Sequence, residues 1–293
     1  MSAPAHQQAL LDAHAHFFLP GFVGALPQSC RRQSPDEITL YQAYAAQHNI
    51  GQVLAVGYEG APWALGNNTY LAQQAAQHAW LRPLAYVISP ADLTIAQLQT
   101  WQAQRFVGIT FYIFNEAEAE ALAAVSDEVW TWLADHAWLI SVNSTGEHWT
   151  RWEAILSRHP ELRLLIAHLG LPPAAPITPS TEEAQAVLEP LCALGQYPQT
   201  YIKYSGFYAL AEPGYAYPHR AAWPYAQTLF HEFGPSRILW ASDFSPALET
   251  VSFAQTVAVV GEMPWLSTRN LAAIYHDNLA QLLDAVQERT KQP

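Results

Sequence analysis

Eight apolar, strand-like runs recur along the chain, separated by loops and by alanine- or tryptophan-rich stretches of helical character. They are Ala9–His16, Gly51–Tyr58, Leu81–Ser89, Phe106–Phe114, Trp138–Ser144, Leu162–His168, Thr200–Ser205 and Ile238–Asp243. A spacing of roughly 25 to 40 residues leaves room for one helix per interval, as at Asp36–His48, Asn68–His78 and Asp127–His136. Asp36 and Asp127 stand where an N-cap or first-turn acid favours a helix start. Strands alternating with helices make a parallel sheet, and eight such units predict an α/β fold closed into a (β/α)8 TIM barrel. The doubly wound alternative lacks support, because no G-x-G-x-x-G or Walker sequence follows any of the runs.

At 293 residues, 51% hydrophobic and only 13% charged, the chain suits one large domain, 1–293, with a well-buried core. The Pro-rich patches Leu171–Pro179 and Glu212–Pro224 read as long loops within it. Neither a signal peptide over Met1–Gln8 nor an apolar stretch of membrane-spanning length is visible, so a soluble, cytoplasmic protein is expected. Cys30 and Cys192 are too few and too far apart for a disulfide framework or a cysteine metal site. A formal net charge of −12 disfavours nucleic acid and anionic membranes as partners; a small-molecule substrate suits it better, and a homo-oligomer is compatible with it.

In such a barrel the residues at the C-terminal ends of the strands meet around the site. In order they read His14 and His16; Tyr58 and Glu59; Ser89; Tyr112; Asn143; His168; Lys203 and Ser205; Asp243. By a period of two, Asp12, His14 and His16 share one face, and imidazole is the commonest protein ligand for zinc-like ions. The pair alone says little, since 12 His in 293 residues supply about half a His-x-His pair by chance. Asp243 is more pointed: a carboxylate closing the run Ile238–Ala241 is costly to bury unless paired or bound to metal. His168 reads equally well as a hydrogen-bonded core histidine. Lys203 is expected to pair with a barrel carboxylate such as Asp12, and Tyr58, Tyr112 and Tyr208 suit a substrate wall.

Four short stretches in order carry a wider likeness: Asp12 to Phe17; Ala167, His168, Leu169, Gly170; Lys203, Tyr204, Ser205, Gly206; and Trp240, Ala241, Ser242, Asp243, with Asp277, Asn278, Leu279 beyond. Through them the chain resembles the amidohydrolase superfamily and, more narrowly, the lactonase-like branch of the amidohydrolase-2 group, over nearly its whole length. That group includes sugar and dicarboxylate lactonases and decarboxylases of the aminocarboxymuconate semialdehyde type. The resemblance implies a divalent metal, zinc foremost, held by His14 and His16. It makes Asp243 a further ligand and the general base, and lets His168 bind a second metal or polarise the substrate carbonyl. The residue types agree with that chemistry: imidazoles hold a cation and a carboxylate takes a proton from water.

Asn143 departs from the pattern, because members with a tight metal site present His, Glu or a carboxylated Lys at the end of the fifth strand. An amide oxygen is a weak donor to zinc, so His14, His16 and Asp243 form at most a three-ligand site. That points toward lactonases of the group that work with little or no metal. A dicarboxylate would call for Arg at strand ends, where none stands; Arg31, Arg32 and Arg220 in loops are the candidate anion clamps. Tyr58, Tyr112, Asn143, Lys203, Ser205 and Arg220 are the expected substrate contacts. The expected function is hydrolysis of a lactone or similar ester, with a metal-dependent decarboxylase and a catalytically inactive ligand-binding barrel as alternatives.

Overall fold

The computed structural model describes residues 8–24 and 36–290. Every expected run carries a strand: β1 (Leu10–Ala15), β2 (Ile50–Val56), β3 (Leu81–Tyr86), β4 (Gly108–Ile113), β5 (Leu139–Ser144), β6 (Arg163–Ile166), β7 (Thr200–Tyr204) and β8 (Ile238–Trp240). They pair in chain order, each parallel to the next. β1 and β8 meet through a parallel bridge between Ala15 and Phe244 and the Asp243 N–H to the His14 carbonyl at 2.9 Å. The sheet thus closes on itself as a single-domain (β/α)8 barrel.

The surrounding helices are α1 (Glu37–His48), α2 (Asn67–Gln77), α3 (Ile95–Ala103), α4 (Glu116–Ala123), α5 (Asp127–Asp135), α6 (Arg151–Arg158), α7 (Thr181–Cys192) and α8 (Trp223–Phe233), with shorter turns and Asn278–Thr290 after β8. Asp36 caps α1 as expected, its carboxylate accepting the Thr39 N–H at 2.9 Å. The β4–β5 connection holds two helices where the spacing suggests one. Asn115, which accepts the Glu118 N–H at 3.0 Å, starts an additional helix before Asp127. No helix among the described residues is long and apolar enough to cross a membrane. Cys192 is a half-buried free thiol pushed up to about 12 by burial, whereas Cys30, Arg31 and Arg32 lie outside the described residues.

Pairing decides which side chains face the barrel axis. Phe111 packs outward on Trp130 and Trp152, ring centroids 6.1 Å away, so Thr110 and Tyr112 turn inward, as do their β5 partners Ser141 and Asn143. The outward layer is tryptophan-rich, with Trp130, Trp138, Trp149 and Trp152 at most 1% exposed. Inside, Thr110, Ser141 and Lys203 make a polar middle layer where such barrels are ordinarily filled by Val, Ile and Leu. That polar layer lies directly beneath the strand ends.

Candidate active site

β1 does not keep a period of two. Asp12 pairs with Val53 and Ala15 with Ala55, so three steps on β1 span two on β2, and the bulge turns Asp12 away from the face of His14 and His16. Asp12 instead clamps β1 to β8 and α1. Its carboxylate accepts the Tyr41 O–H at 2.8 Å, the Ser242 O–H at 2.5 Å, the Ser242 N–H at 2.9 Å and the His14 N–H at 3.1 Å. Complete burial outweighs these bonds and raises the carboxyl to about 6.

His14 and His16 turn inward with their Nε2 atoms 2.9 Å apart. Asp243 Oδ1 lies 3.9 Å from the first and 4.0 Å from the second. Its other oxygen, Oδ2, accepts the Tyr208 O–H at 2.6 Å and sits 3.9 Å from His168 Nδ1. His168 Nδ1 meets Ser205 Oγ at 2.9 Å, and its ring stands 4.7 Å from that of His14. β6 ends at Ile166 and β8 at Trp240, earlier than the apolar runs suggest, and beyond them His168 (φ 51°) and Asp243 (φ 57°) adopt left-handed backbone. Such conformations cost about 1–3 kcal/mol at a non-glycine residue and concentrate at functional sites. Gly206, itself at φ 68°, lets His168 lie against β7, since a Cβ there would come within 2.8 Å of His168 Nδ1.

Burial governs the charges. It pushes His14 well below the usual imidazole range, with Lys203 nearby adding to the effect; His16 falls to about 4 despite the pull of Asp243, and His168 to about 3. Asp243 rises to about 6, chiefly by burial, with His16 and the Tyr208 hydroxyl opposing. Lys203 falls to about 7 for the same reason, Asp12 and Asp243 opposing. Near neutral pH the site therefore holds three neutral imidazoles and an ionised Asp243.

Lys203 does not form the ion pair with Asp12 that the sequence suggests, because the β1 bulge has turned that carboxylate outward. Its Nζ donates to Ser141 Oγ at 2.7 Å and lies 3.2 Å from His14 Nδ1. As an ammonium, Lys203 donates to His14 Nδ1, His14 Nε2–H donates to His16 Nε2, and His16 Nδ1–H donates to the Val56 carbonyl at 2.8 Å. As a neutral amine it accepts from His14 Nδ1–H, and two Nε2 lone pairs then converge with Asp243 Oδ1. Three donors within 4.8 Å of one another match the protein ligands of a catalytic zinc. Tetrahedral bonds of about 2.1 Å need donors about 3.4 Å apart, and the separations of 2.9, 3.9 and 4.0 Å bracket that value. The site fits a divalent cation.

Opposite the charged cluster stands an aromatic wall. Tyr58, Tyr86 and Tyr112, from the ends of β2, β3 and β4, form a triangle with ring centroids 5.1 to 5.5 Å apart. Phe18 stacks on His16 at 5.8 Å and meets Trp63 edge-on at 4.8 Å. Glu59 accepts the Asn68 N–H at 2.8 Å and Ser89 donates to Asp92 at 2.8 Å, so both support loops. Arg220 is exposed, its guanidinium 5.3 Å over the Trp223 ring, and no contact joins it to the cluster. Sequence reasoning passed over Tyr86, although alternation puts it on the inward face of β3. It also treated Tyr208 as wall rather than as the donor to Asp243, for irregular backbone gives no period to read.

A family model for amidohydrolases matches residues 11–285. No curated protein matches the chain. Among solved structures, the chain is similar to an amidohydrolase from Burkholderia multivorans with bound zinc, at TM-score 0.74 and 18% identity over 94% of this chain and 99% of that one. A probable 2-pyrone-4,6-dicarboxylic acid hydrolase from Acinetobacter baumannii with citric acid bound gives 0.69 and 17% over 94% and 100%. A 4-oxalomesaconate hydratase from Rhodopseudomonas palustris gives 0.59 and 12% over 96% and 98%. At such identities the structural likeness is one of fold.

Proposed function

Since the chain belongs to the amidohydrolase family, we propose that it opens a lactone or similar ester of a small sugar-derived or organic acid with water at the C-terminal mouth of the barrel. The observation that carries this reading is the placement of Asp243, a buried carboxylate aimed by Tyr208 and facing three neutral imidazoles. Asp243 takes a proton from the attacking water. With Ser205 O–H donating to His168 Nδ1, the opposite N–H of His168 is a neutral donor for the substrate carbonyl. Addition of water to the carbonyl carbon is followed by cleavage of the ring C–O bond, and the proton held by Asp243 passes to the departing alkoxide. Tyr58 and Tyr112 form the wall along which the substrate lies, with Lys203 and Ser205 setting the protons of His14 and His168. His14, His16 and Asp243 would hold a divalent cation, zinc foremost. When bound, that ion supplies Lewis acidity.

A lactone panel assayed with wild type and Asp243→Asn tests the reading, with metal analysis of both and of His14→Ala. Loss of a general base costs about 10² to 10⁴ in rate, so the variant should fall by at least that lower figure. Undiminished turnover in Asp243→Asn would sink the mechanism. Metal retained at full stoichiometry in His14→Ala would remove His14 from the ligand set.

A further inference from the structure

We propose that Asn143 donates its side-chain N–H to the carbonyl oxygen of the substrate and to the oxyanion that develops there. The inference rests on the lactone or ester reading above and assigns a specific role at the end of β5. Asn143 is 3% exposed, and its Nδ2 is buried with no hydrogen-bond partner. A buried amide donor without an acceptor bears its full desolvation cost, and the large majority of such groups are paired. An acceptor brought by the substrate completes this one.

The register places Asn143 at the mouth end of β5, beside the strand that leads to His168. Ser141, on the same inward face of β5, accepts from Lys203, which in turn contacts His14. Asn143 stands two residues further along, about 6.6 Å nearer the mouth, beside its β4 partner Tyr112. On the other side Ser141 pairs with Leu165 and Val142 with Ile166, and the Ala167 N–H reaches the Val142 carbonyl at 2.9 Å. Asn143 is therefore on the strand next to His168, whose Nδ1 is 3.9 Å from Asp243 Oδ2. As water adds, its proton goes to Asp243, its oxygen bonds to the carbonyl carbon, and the carbonyl electron pair moves onto oxygen. Asn143 meets the resulting negative charge. When the tetrahedral centre collapses, the ester C–O bond breaks and Asp243 returns the proton to the alkoxide. An amide suits this task, being a fixed neutral donor that neither titrates nor takes the proton.

Asn143→Leu and Asn143→Asp separate this role from a structural one, with dihydrocoumarin and δ-valerolactone as probes. Loss of one oxyanion donor costs about 10² to 10³ in kcat, so Asn143→Leu should lose that much in kcat and, because the same N–H holds the ground-state carbonyl, also show a raised KM. Its Tm should hold or rise, because the unpaired buried donor is gone. Asn143→Asp, of the same shape but accepting rather than donating, should be at least as inactive. A Tm several degrees lower with kcat preserved in Asn143→Leu, or full activity in Asn143→Asp, would overturn the proposal. Wild type that hydrolyses neither probe counts against the hydrolase reading, and the Asn143 role is then decided by binding. Dihydrocoumarin should raise the Tm of Asp243→Asn and not that of Asp243→Asn combined with Asn143→Leu. An equal shift in both, or a shift in neither, overturns it.

Discussion

Removing the ionisable group at position 12 has a stability consequence of fixed sign. Asp12 is wholly buried at the seam between β1 and β8, and desolvation carries its carboxyl from an ordinary 3.8 to about 6 in spite of four hydrogen bonds. Between those values the folded chain holds a proton that the unfolded chain has released, so stability falls as pH rises. The contribution of Asp12 is fully present below pH 3.8, drains away up to about pH 6 and stays lost above it. At 1.36 kcal/mol per pH unit the loss is roughly 3 kcal/mol. Asp12→Asn keeps the shape without the titration, so from pH 3.5 to pH 7 wild type should lose about 3 kcal/mol of stability relative to the variant. Urea melts of metal-stripped protein across that range measure the difference, with constant m-values as the check on two-state behaviour. A single comparison at pH 7 is less telling, since the variant also forfeits charged acceptance from Tyr41 and Ser242, about 1.5–3 kcal/mol for each bond. The pH dependence is free of that offset. A difference that stays flat would show the carboxyl titrating alike in both states, and wild type gaining on the variant as pH rises would show it held ionised in the fold; either refutes the reasoning.

Two further outcomes concern the machinery around Asp243. The proposed hydrolysis needs Asp243 ionised, so on that mechanism activity should rise with pH through about 6; Tyr208→Phe removes a bond that favours the carboxylate and should move this acid limb upward by roughly one pH unit, read from kcat/KM profiles. An unmoved limb would separate Tyr208 from the base. Gly206→Ala should cost about 1 kcal/mol or more from its left-handed backbone and, by pressing on His168, at least tenfold in kcat. Unchanged kinetics in that variant would argue that His168 does not touch the substrate.

The barrel was legible in the sequence because regular spacing runs through all eight strands and a period of two holds where the register is unbroken, as on β4 and β5, where Tyr112 and Asn143 share the inward face. What was not legible lies at the seam and at the strand ends, and much of it has one cause. The bulge in β1 adds a residue between Asp12 and Ala15. This single step breaks the alternation that would have put Asp12 beside His14 and, by carrying the carboxylate to Ser242 and Tyr41, leaves Lys203 to Ser141 and His14. Likewise His168 and Asp243 were identifiable by type and order, but they sit past the ends of β6 and β8 on left-handed backbone that no alternation foretells. Tyr208 follows Gly206 through irregular chain, and no pattern foretells its bond to Asp243. Local rules fail where the chain is bent to bring polar groups together, as expected of sites that give up regularity for chemistry. The unpaired amide of Asn143 lies at the same strand ends, and of the buried polar atoms left without a partner among the described residues it is the one on the inward face beside the strand that leads to His168, which is why the role proposed above falls to it.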